Sequence, residues 1–344
     1  MNINILNDSE LTQLRQLIVD SKRVVVICHK SPDGDAVGSS LAWAEYLRLQ
    51  GKEASVVVPD AYPDFLQWLP NTQQILRYDK KPEVVKTVFE QADLVCCMDF
   101  NESSRVEELQ SLLDTFQGNR LMIDHHLNPH LDDAMVISRS QLSSTCELLF
   151  SILWQLGAYE PMTHAMAVCL YCGMMTDTGG FTYNSTRPEI FYIISLLLEK
   201  HINKDLIYNR VYHNYSVDAI RLRGYLISRK MRVTNELHAA YFTLTRNEMK
   251  RFHFIKGDAE GLVNEPLRIK GMKLSISLRE DTEKPNLILV SLRSSCGFHC
   301  AEMARRFFNG GGHEDAAGGK LFCNIAEAEQ ITTQAILAFR EQLQ

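Results

Sequence analysis

Residues 24–38 read VVVICHKSPDGDAVG, and the fold of the first half follows from this stretch. Residues 24–28 are an unbroken apolar run dominated by β-branched side chains, as expected of a strand buried on both faces. Pro32-Asp33-Gly34-Asp35 is turn chemistry, and an aspartate there is placed to cap a following helix. That helix carries Val37, Leu41, Ala44 and Leu47 on one side and closes at Gly51. The alternation then repeats. Strand-like runs recur at 55–58, 94–98, 120–123 and 135–137 with helical stretches between several of them, and two helices follow at 144–156 and 161–175. Short, apolar strands alternating with helices predict an α/β domain on a parallel sheet.

The pattern changes near residue 200. Residues 203–232 read as one long mixed helix without the apolar density of a core helix. Strand-like runs then come at 239–245, 274–278 and 287–292, with a helix at 301–308, a glycine loop, a strand near 320–323 and a closing helix. The expected organisation is a parallel-sheet α/β domain over 1–200, a connector helix over 201–231 and a smaller α+β domain over 232–344.

Composition narrows the function classes. With 36 basic against 42 acidic residues, a net charge of −6, the chain lacks the basic face that a grip on long duplex DNA requires. No apolar stretch approaches the roughly 20 residues of a membrane span; the run at 190–198 is bounded by Glu189 and Glu199. The N-terminus is polar and amphipathic, without the basic n-region of a signal peptide. Nine cysteines, an odd count, point to reduced thiols. The expectation is a cytoplasmic protein with no membrane partner.

Polar residues directly after apolar strands come first as site candidates, because ligands of parallel sheets collect at the carboxyl ends of the strands. His29, Asp33 and Asp35 follow the first strand, Asp99 follows the run at 94–98, and Asp124-His125-His126 follow the run at 120–123. Asp177 closes the helix that begins near Pro161. Each alone reads as a cap or a turn residue. Together they gather acids and imidazoles at one rim, which is strongly unfavourable without cations. Two divalent ions would neutralise it, and the mixed donor set suits Mn²⁺, with Mg²⁺, Fe²⁺ or Co²⁺ as alternatives. Gly34 would allow the tight backbone that points Asp33 and Asp35 at different ions. Asp99, alone on a central strand end, is best placed to bridge. Two ions about 3.5–4 Å apart serve in-line phosphoryl displacement by a bridging hydroxide, so phosphoester hydrolysis is the chemistry that fits.

The set H-x3-D-x-D, a strand-end Asp, Asp-His-His and a later Asp resembles the DHH phosphoesterase superfamily. Leu292-Arg293-Ser294-Ser295 and Asn309-Gly310-Gly311-Gly312-His313, with the Ala-Ala-Gly-Gly that follows, look like its DHH-associated C-terminal domain. Pro-Asp-Gly-Asp-Ala with Gly-Gly-Gly-His is most similar to the NrnA-type subgroup, small enzymes that degrade very short RNAs and 3′-phosphoadenosine 5′-phosphate. The resemblance implies that His29, Asp33 and Asp99 hold one metal, and Asp35, Asp99, His125 and Asp177 the other. It implies that His126 faces the scissile phosphate and that Asp124 orients a histidine. It also implies that Arg293, Ser294, Gly311, Gly312 and His313 bind substrate phosphate across an inter-domain cleft, the glycine loop through its N–H groups. Cys296-Gly-Phe-His-Cys300 departs from the more polar stretch of relatives.

The implied substrates are oligonucleotides of two to about four nucleotides and nucleoside bisphosphates, with a homodimer as an admissible assembly. The competing readings are a cyclic or linear dinucleotide phosphodiesterase, a RecJ-like single-strand exonuclease and a catalytically silent nucleotide sensor. Cys169-x-x-Cys172 with Cys296, Cys300 and His299 could be imagined as a zinc site, but Cys169 and Cys172 fall in an apolar helix, where buried thiols are common. Tyr212, His213 and Tyr215 on the connector could stack a base, or more simply form a contact between that helix and a domain.

Overall fold

The computed structural model describes residues 1–255 and 257–344, in two compact units, Met1–Asn214 and Tyr215–Gln344. In the first unit one parallel sheet holds β1 (Arg23–Cys28), β2 (Glu53–Val58), β3 (Leu76–Arg77), β4 (Leu94–Met98), β5 (Asn119–Asp124) and β6 (Ala134–Ser138). Its order is β3-β2-β1-β4-β5-β6. The helices are α1 (Asp8–Asp20), α2 (Gly34–Leu49), α3 (Pro82–Gln91), α4 (Gln110–Asp114), α5 (Thr145–Gln155), α6 (His164–Asp177), α7 (Pro188–Glu199) and α8 (Lys204–Tyr212). Side chains alternate across the sheet. Val24 and Val26 enter a core with Trp43, Leu149 and Leu170, whereas Val25 and Ile27 meet Val85, Phe89 and Leu113 on the other face. Both faces are covered, which is why the strands read as continuous apolar runs. From β1 the order runs one way through β2 and the other way through β4. Such a switch point opens a crevice at the strands' carboxyl ends.

The second unit is built on a mixed sheet of β7 (Arg232–Thr234), β8 (Ala239–Leu244), β9 (Leu274–Glu280), β10 (Ile288–Ser294), β11 (Gly311–His313) and β12 (Ala316–Leu321), ordered β11-β12-β10-β9-β8-β7. β8 pairs with β9 in parallel, and the other ladders are antiparallel. Its helices are α9 (Val217–Tyr225), α10 (Arg246–Arg251), α11 (Cys300–Phe307), α12 (Ile325–Ala338) and α13 (Arg340–Leu343). Ile276, Leu278, Val290 and Leu292 pack with Met303, Phe308 and Ile336 on one face.

Two expectations are corrected. The single connector helix over 201–231 does not form. α8 ends at Tyr212 and the chain restarts at α9, where the Ser216 side chain accepts from the Ala219 N–H; a π-helical turn, Leu226–Lys230, closes the segment. A capping hydroxyl satisfies N–H groups that a continuous helix would bond internally, so the segment breaks there. The glycine loop is also not a loop, since Gly311–His313 form an edge strand paired to Ala316–Gly318. A Cβ on Gly310 would overlap the carbonyl oxygen of Gly318, so glycine is needed for the close backbone approach.

Candidate metal centre

β1 and β4 flank the switch point, and the chain leaving each delivers a donor. After β1, His29 is held by a 2.9 Å contact between its Nδ1 and the Lys30 carbonyl oxygen. A carbonyl can only accept, so Nδ1 carries the proton and the Nε2 lone pair is left for a ligand. That Nε2 lies 3.8 Å from Asp33 Oδ2 and 3.6 Å from Asp99 Oδ2. Asp33 is the N-cap of α2: its Oδ1 accepts from the Asp35 and Ala36 N–H groups at 3.0 Å each, which leaves Oδ2 for His29. The capping and ligand readings of Asp33 therefore both hold geometrically, one oxygen each. Asp99 follows β4 with φ 64°. A left-handed conformation in a residue other than glycine stores of order 1–3 kcal/mol and is concentrated at functional positions.

The second donor group lies on the other side of Asp99. His125 Nε2 is 3.3 Å from Asp177 Oδ2, 3.6 Å from Asp99 Oδ1 and 3.9 Å from Asp35 Oδ2. Two donors about 2.1 Å from a shared ion sit about 3.0–3.4 Å apart, so these separations need only a small contraction to close on a cation. Donor atoms of His29, Asp33 and Asp99 form one group within 4.8 Å of one another, and those of Asp35, His125 and Asp177 form another. The two Asp99 oxygens thus face different groups. His126 borders the same oxygen, its Nδ1 3.8 Å from Asp99 Oδ1, but is tied to Asp124: its Nδ1 is 2.7 Å from Asp124 Oδ1, and its backbone N–H donates to Asp124 Oδ2 at 3.0 Å.

Charge in this rim is out of balance. Burial first, and then the charge of Asp177, pushes the Asp35 carboxyl up to about 7. Burial, followed by Asp35, Asp33 and Asp177, raises Asp99 well above the carboxylate range. Burial opposes a charged His125, but the hydrogen bond and charge of Asp177 outweigh it and lift the imidazole to about 9. Burial lowers His29. Acids that hold protons and a histidine that gains one mark a pocket short of positive charge, the condition that divalent ions relieve.

The N-terminus of α5 belongs to the site and was not singled out from the sequence. The Thr145 and Cys146 N–H groups donate to Asp35 Oδ2 and Oδ1 at 2.6 and 2.8 Å, and the Thr145 hydroxyl donates to Asp99 Oδ1 at 2.8 Å. Beneath them the buried Glu147 carboxylate accepts from the Ser143 N–H and hydroxyl at 2.7 Å each and pairs with Arg187 at 3.0 Å. The available signal was Ser143-Ser144-Thr145-x-Glu147, hydroxyls before a helix with an acid at N3.

Gly34 plays a different part from the one expected. It opens α2, and a Cβ there would overlap the Thr176 hydroxyl of α6. Close approach of two helices, rather than a special turn, requires glycine.

In the second unit Arg293 pairs with Ala316, and Ala316 with His313, across β10, β12 and β11. Directly paired residues share a face, so the small Ala316 stands between Arg293 and His313, whose Cα atoms are about 10 Å apart at two strand spacings. This is the face opposite the Leu292 core. Ser294 points inward instead: its hydroxyl is 3.2 Å from Asp315 Oδ1 and accepts from the Cys300 N–H at 3.2 Å. Phe298 and Cys300 of the divergent stretch are buried in the core. Cys169 and Cys172 are buried in α6 with thiols raised by burial, which fits packing rather than a zinc ligand. The Tyr212 hydroxyl donates to the Met175 carbonyl oxygen at 3.2 Å, a helix contact.

With this geometry in view, residues 23–174 match the model of the DHH family, N-terminal domain, and residues 239–338 match the DHHA1 domain. A solved structure of an exopolyphosphatase-related protein from Bacteroides fragilis is 42% identical, with a TM-score of 0.92 over 98% of each chain. The bifunctional oligoribonuclease and PAP phosphatase NrnA of Thermus thermophilus is 28% identical over 93% of this chain and 90% of its own. The cyclic-di-AMP phosphodiesterase PdeA of Listeria monocytogenes is 26% identical over 95% of this chain and 49% of its own. The chain belongs to the DHH family, with a DHHA1 domain following the catalytic one, and is a phosphoesterase. Among the described residues no helix is long and apolar enough to cross a membrane.

Proposed function

We propose that this phosphoesterase hydrolyses oligonucleotides of two to about four nucleotides and 3′-phosphoadenosine 5′-phosphate, using two divalent ions. The observation that carries the reading is the opposed facing of the two Asp99 oxygens, 3.6 Å from His29 Nε2 and 3.6 Å from His125 Nε2. His29, Asp33 and Asp99 would hold one ion, and Asp35, Asp99, His125 and Asp177 the other, with Mn²⁺ best suited to the mixed donor set. Such a pair supplies a nucleophile at neutral pH and neutralises charge on phosphorus-bound oxygens. His126, fixed by Asp124 through Nδ1, keeps Nε2 for the scissile phosphate or the leaving oxygen. Arg293 and His313 hold a further substrate phosphate; the arginine can do so with two parallel hydrogen bonds. The similarity to NrnA of Thermus thermophilus over most of both chains supports the substrate class.

The test is turnover with Mn²⁺ on di- to pentanucleotides, a 24-mer, 3′-phosphoadenosine 5′-phosphate, pyrophosphate and cyclic dinucleotides. The expected result is highest kcat/KM on dinucleotides or on the bisphosphate. Preference for a cyclic dinucleotide, the substrate class of the Listeria relative, would replace this reading. Equal turnover of the 24-mer would replace it with a longer-strand exonuclease.

A further inference from the structure

Thr145 joins Asp35 to the Asp99 oxygen on the His125 side. Its backbone N–H donates to Asp35 Oδ2 at 2.6 Å and its hydroxyl to Asp99 Oδ1 at 2.8 Å. Among the described residues it is fully buried, so neither bond competes with bulk water. The Asp99 oxygen it binds is the one that faces His125 at 3.6 Å. We infer that Thr145 is a positioning residue that fixes the Asp99 carboxylate in the orientation in which one oxygen serves each ion. The inference rests on the two-ion reading above.

The chemistry follows from the acceptor. A carboxylate oxygen has two lone pairs, and a hydroxyl donated to one of them leaves the other for a cation. The Thr145 hydroxyl donates to Asp99 Oδ1 and not to Oδ2 on the His29 side, so the effect should fall mainly on one group. The turn that carries Thr145 is itself held: the Ser144 hydroxyl accepts from the Glu147 N–H at 3.0 Å, and Glu147 is locked by Ser143 and Arg187. The hydroxyl is therefore presented by a turn that Ser143 and Arg187 help to hold, through Glu147.

The experiment titrates Mn²⁺ into wild type, Thr145→Val and Thr145→Ser by calorimetry, with electron paramagnetic resonance to detect a spin-coupled ion pair. Wild type should bind two ions and show the coupled spectrum. Thr145→Val keeps shape and backbone N–H, and should bind the first ion within about twofold of wild type, lose at least tenfold in affinity for the second, and lose the coupled signal. Thr145→Ser restores the hydroxyl and should restore both. Should Thr145→Val be insoluble, Thr145→Ala carries the same expectation. Two ions with unchanged affinities and an intact coupled spectrum in Thr145→Val overturn the positioning role alone. A wild type that binds one ion overturns the two-ion reading and this inference with it.

Discussion

In the first unit Asp35, Asp99, Asp124 and His125 are each no more than 3% exposed, sunk where α2, α5 and α6 meet the strand ends. In the second unit Arg293 and His313 stand half-buried on the sheet face away from the core, separated by Ala316. One region concentrates like charge in a dry place, and the other presents the Arg293 guanidinium on a half-buried sheet face. A buried acidic cluster gains from any cation that neutralises it, so its properties should follow the supply of cations. Arg293 and His313 are proposed to respond to substrate rather than to cations.

The sharpest way to break this contrast is to remove Asp99, the carboxylate proposed to serve both ions. Asp99→Ala should lose both ions and about 10³-fold or more in kcat/KM, equivalent to about 4 kcal/mol of transition-state stabilisation. Asp35→Ala should lose mainly one ion. Metal analysis of the purified variants separates the two outcomes, and two full equivalents retained by Asp99→Ala would show that the groups do not share it.

On the other side of the contrast, Arg293→Ala and His313→Ala should keep normal metal content. Each should weaken kcat/KM toward a dinucleotide by about 1.5–3 kcal/mol, the range for a charge-assisted hydrogen bond. Metal loss in either variant would erase the distinction between the two regions, and unchanged kinetics in both would give the second unit another role.

A pH series sharpens the comparison without mutation. The Asp35 carboxyl, pushed up to about 7 by burial and by Asp177, keeps in the folded chain a proton that the unfolded chain releases near the ordinary carboxylate value. Between those values the folded state binds more protons, so this group lowers the stability of the metal-free protein as pH rises from about 4 to 7. A cation replaces the proton, and the gain in Tm on adding Mn²⁺ should therefore grow over the same window. Thermal melts with and without Mn²⁺ at several pH values check it; a gain independent of pH would detach the metal from this cluster.

The smallest effect concerns salt. With 36 basic and 42 acidic residues and no basic run beyond pairs such as Arg305-Arg306, the chain has no evident track for many phosphates. Affinity for short RNA should fall only weakly with salt, with a log–log slope of about −0.7 per phosphate neutralised. A slope corresponding to many phosphates would point to a strand-binding surface outside both regions.

The gathering of His29, Asp99 and His125 was legible in sequence because each follows an apolar strand, whereas Asp33 doubles as the N-cap of α2 and Asp177 ends α6. Thr145 was not legible, since its meaning depends on Asp35, 110 residues away, arriving at the α5 N-terminus. The break between α8 and α9 was hidden by mixed polarity on both sides of Ser216, which gives no periodicity to interrupt. The strand at Gly311–His313 was hidden by composition: glycine has low strand propensity, and here close backbone approach decides instead.

The contact between α2 and α6 reaches beyond the residues that form it. Gly34 and Gly38 bring the two backbones together, and a Cβ on Gly38 would lie 2.6 Å from the Cys169 carbonyl oxygen. Asp33 and Asp35 begin one helix, and Asp177 ends the other. The pair thus works as a clamp with its jaws set by three missing methyl groups, the third at Gly173 of α6, where a Cβ would lie 2.8 Å from Asp35 Oδ1. A single methyl inserted at Gly38, well inside the helix and away from every donor atom, would act as a wedge and spread the jaws. The tolerances of the site are thus machined into a place where no chemistry occurs.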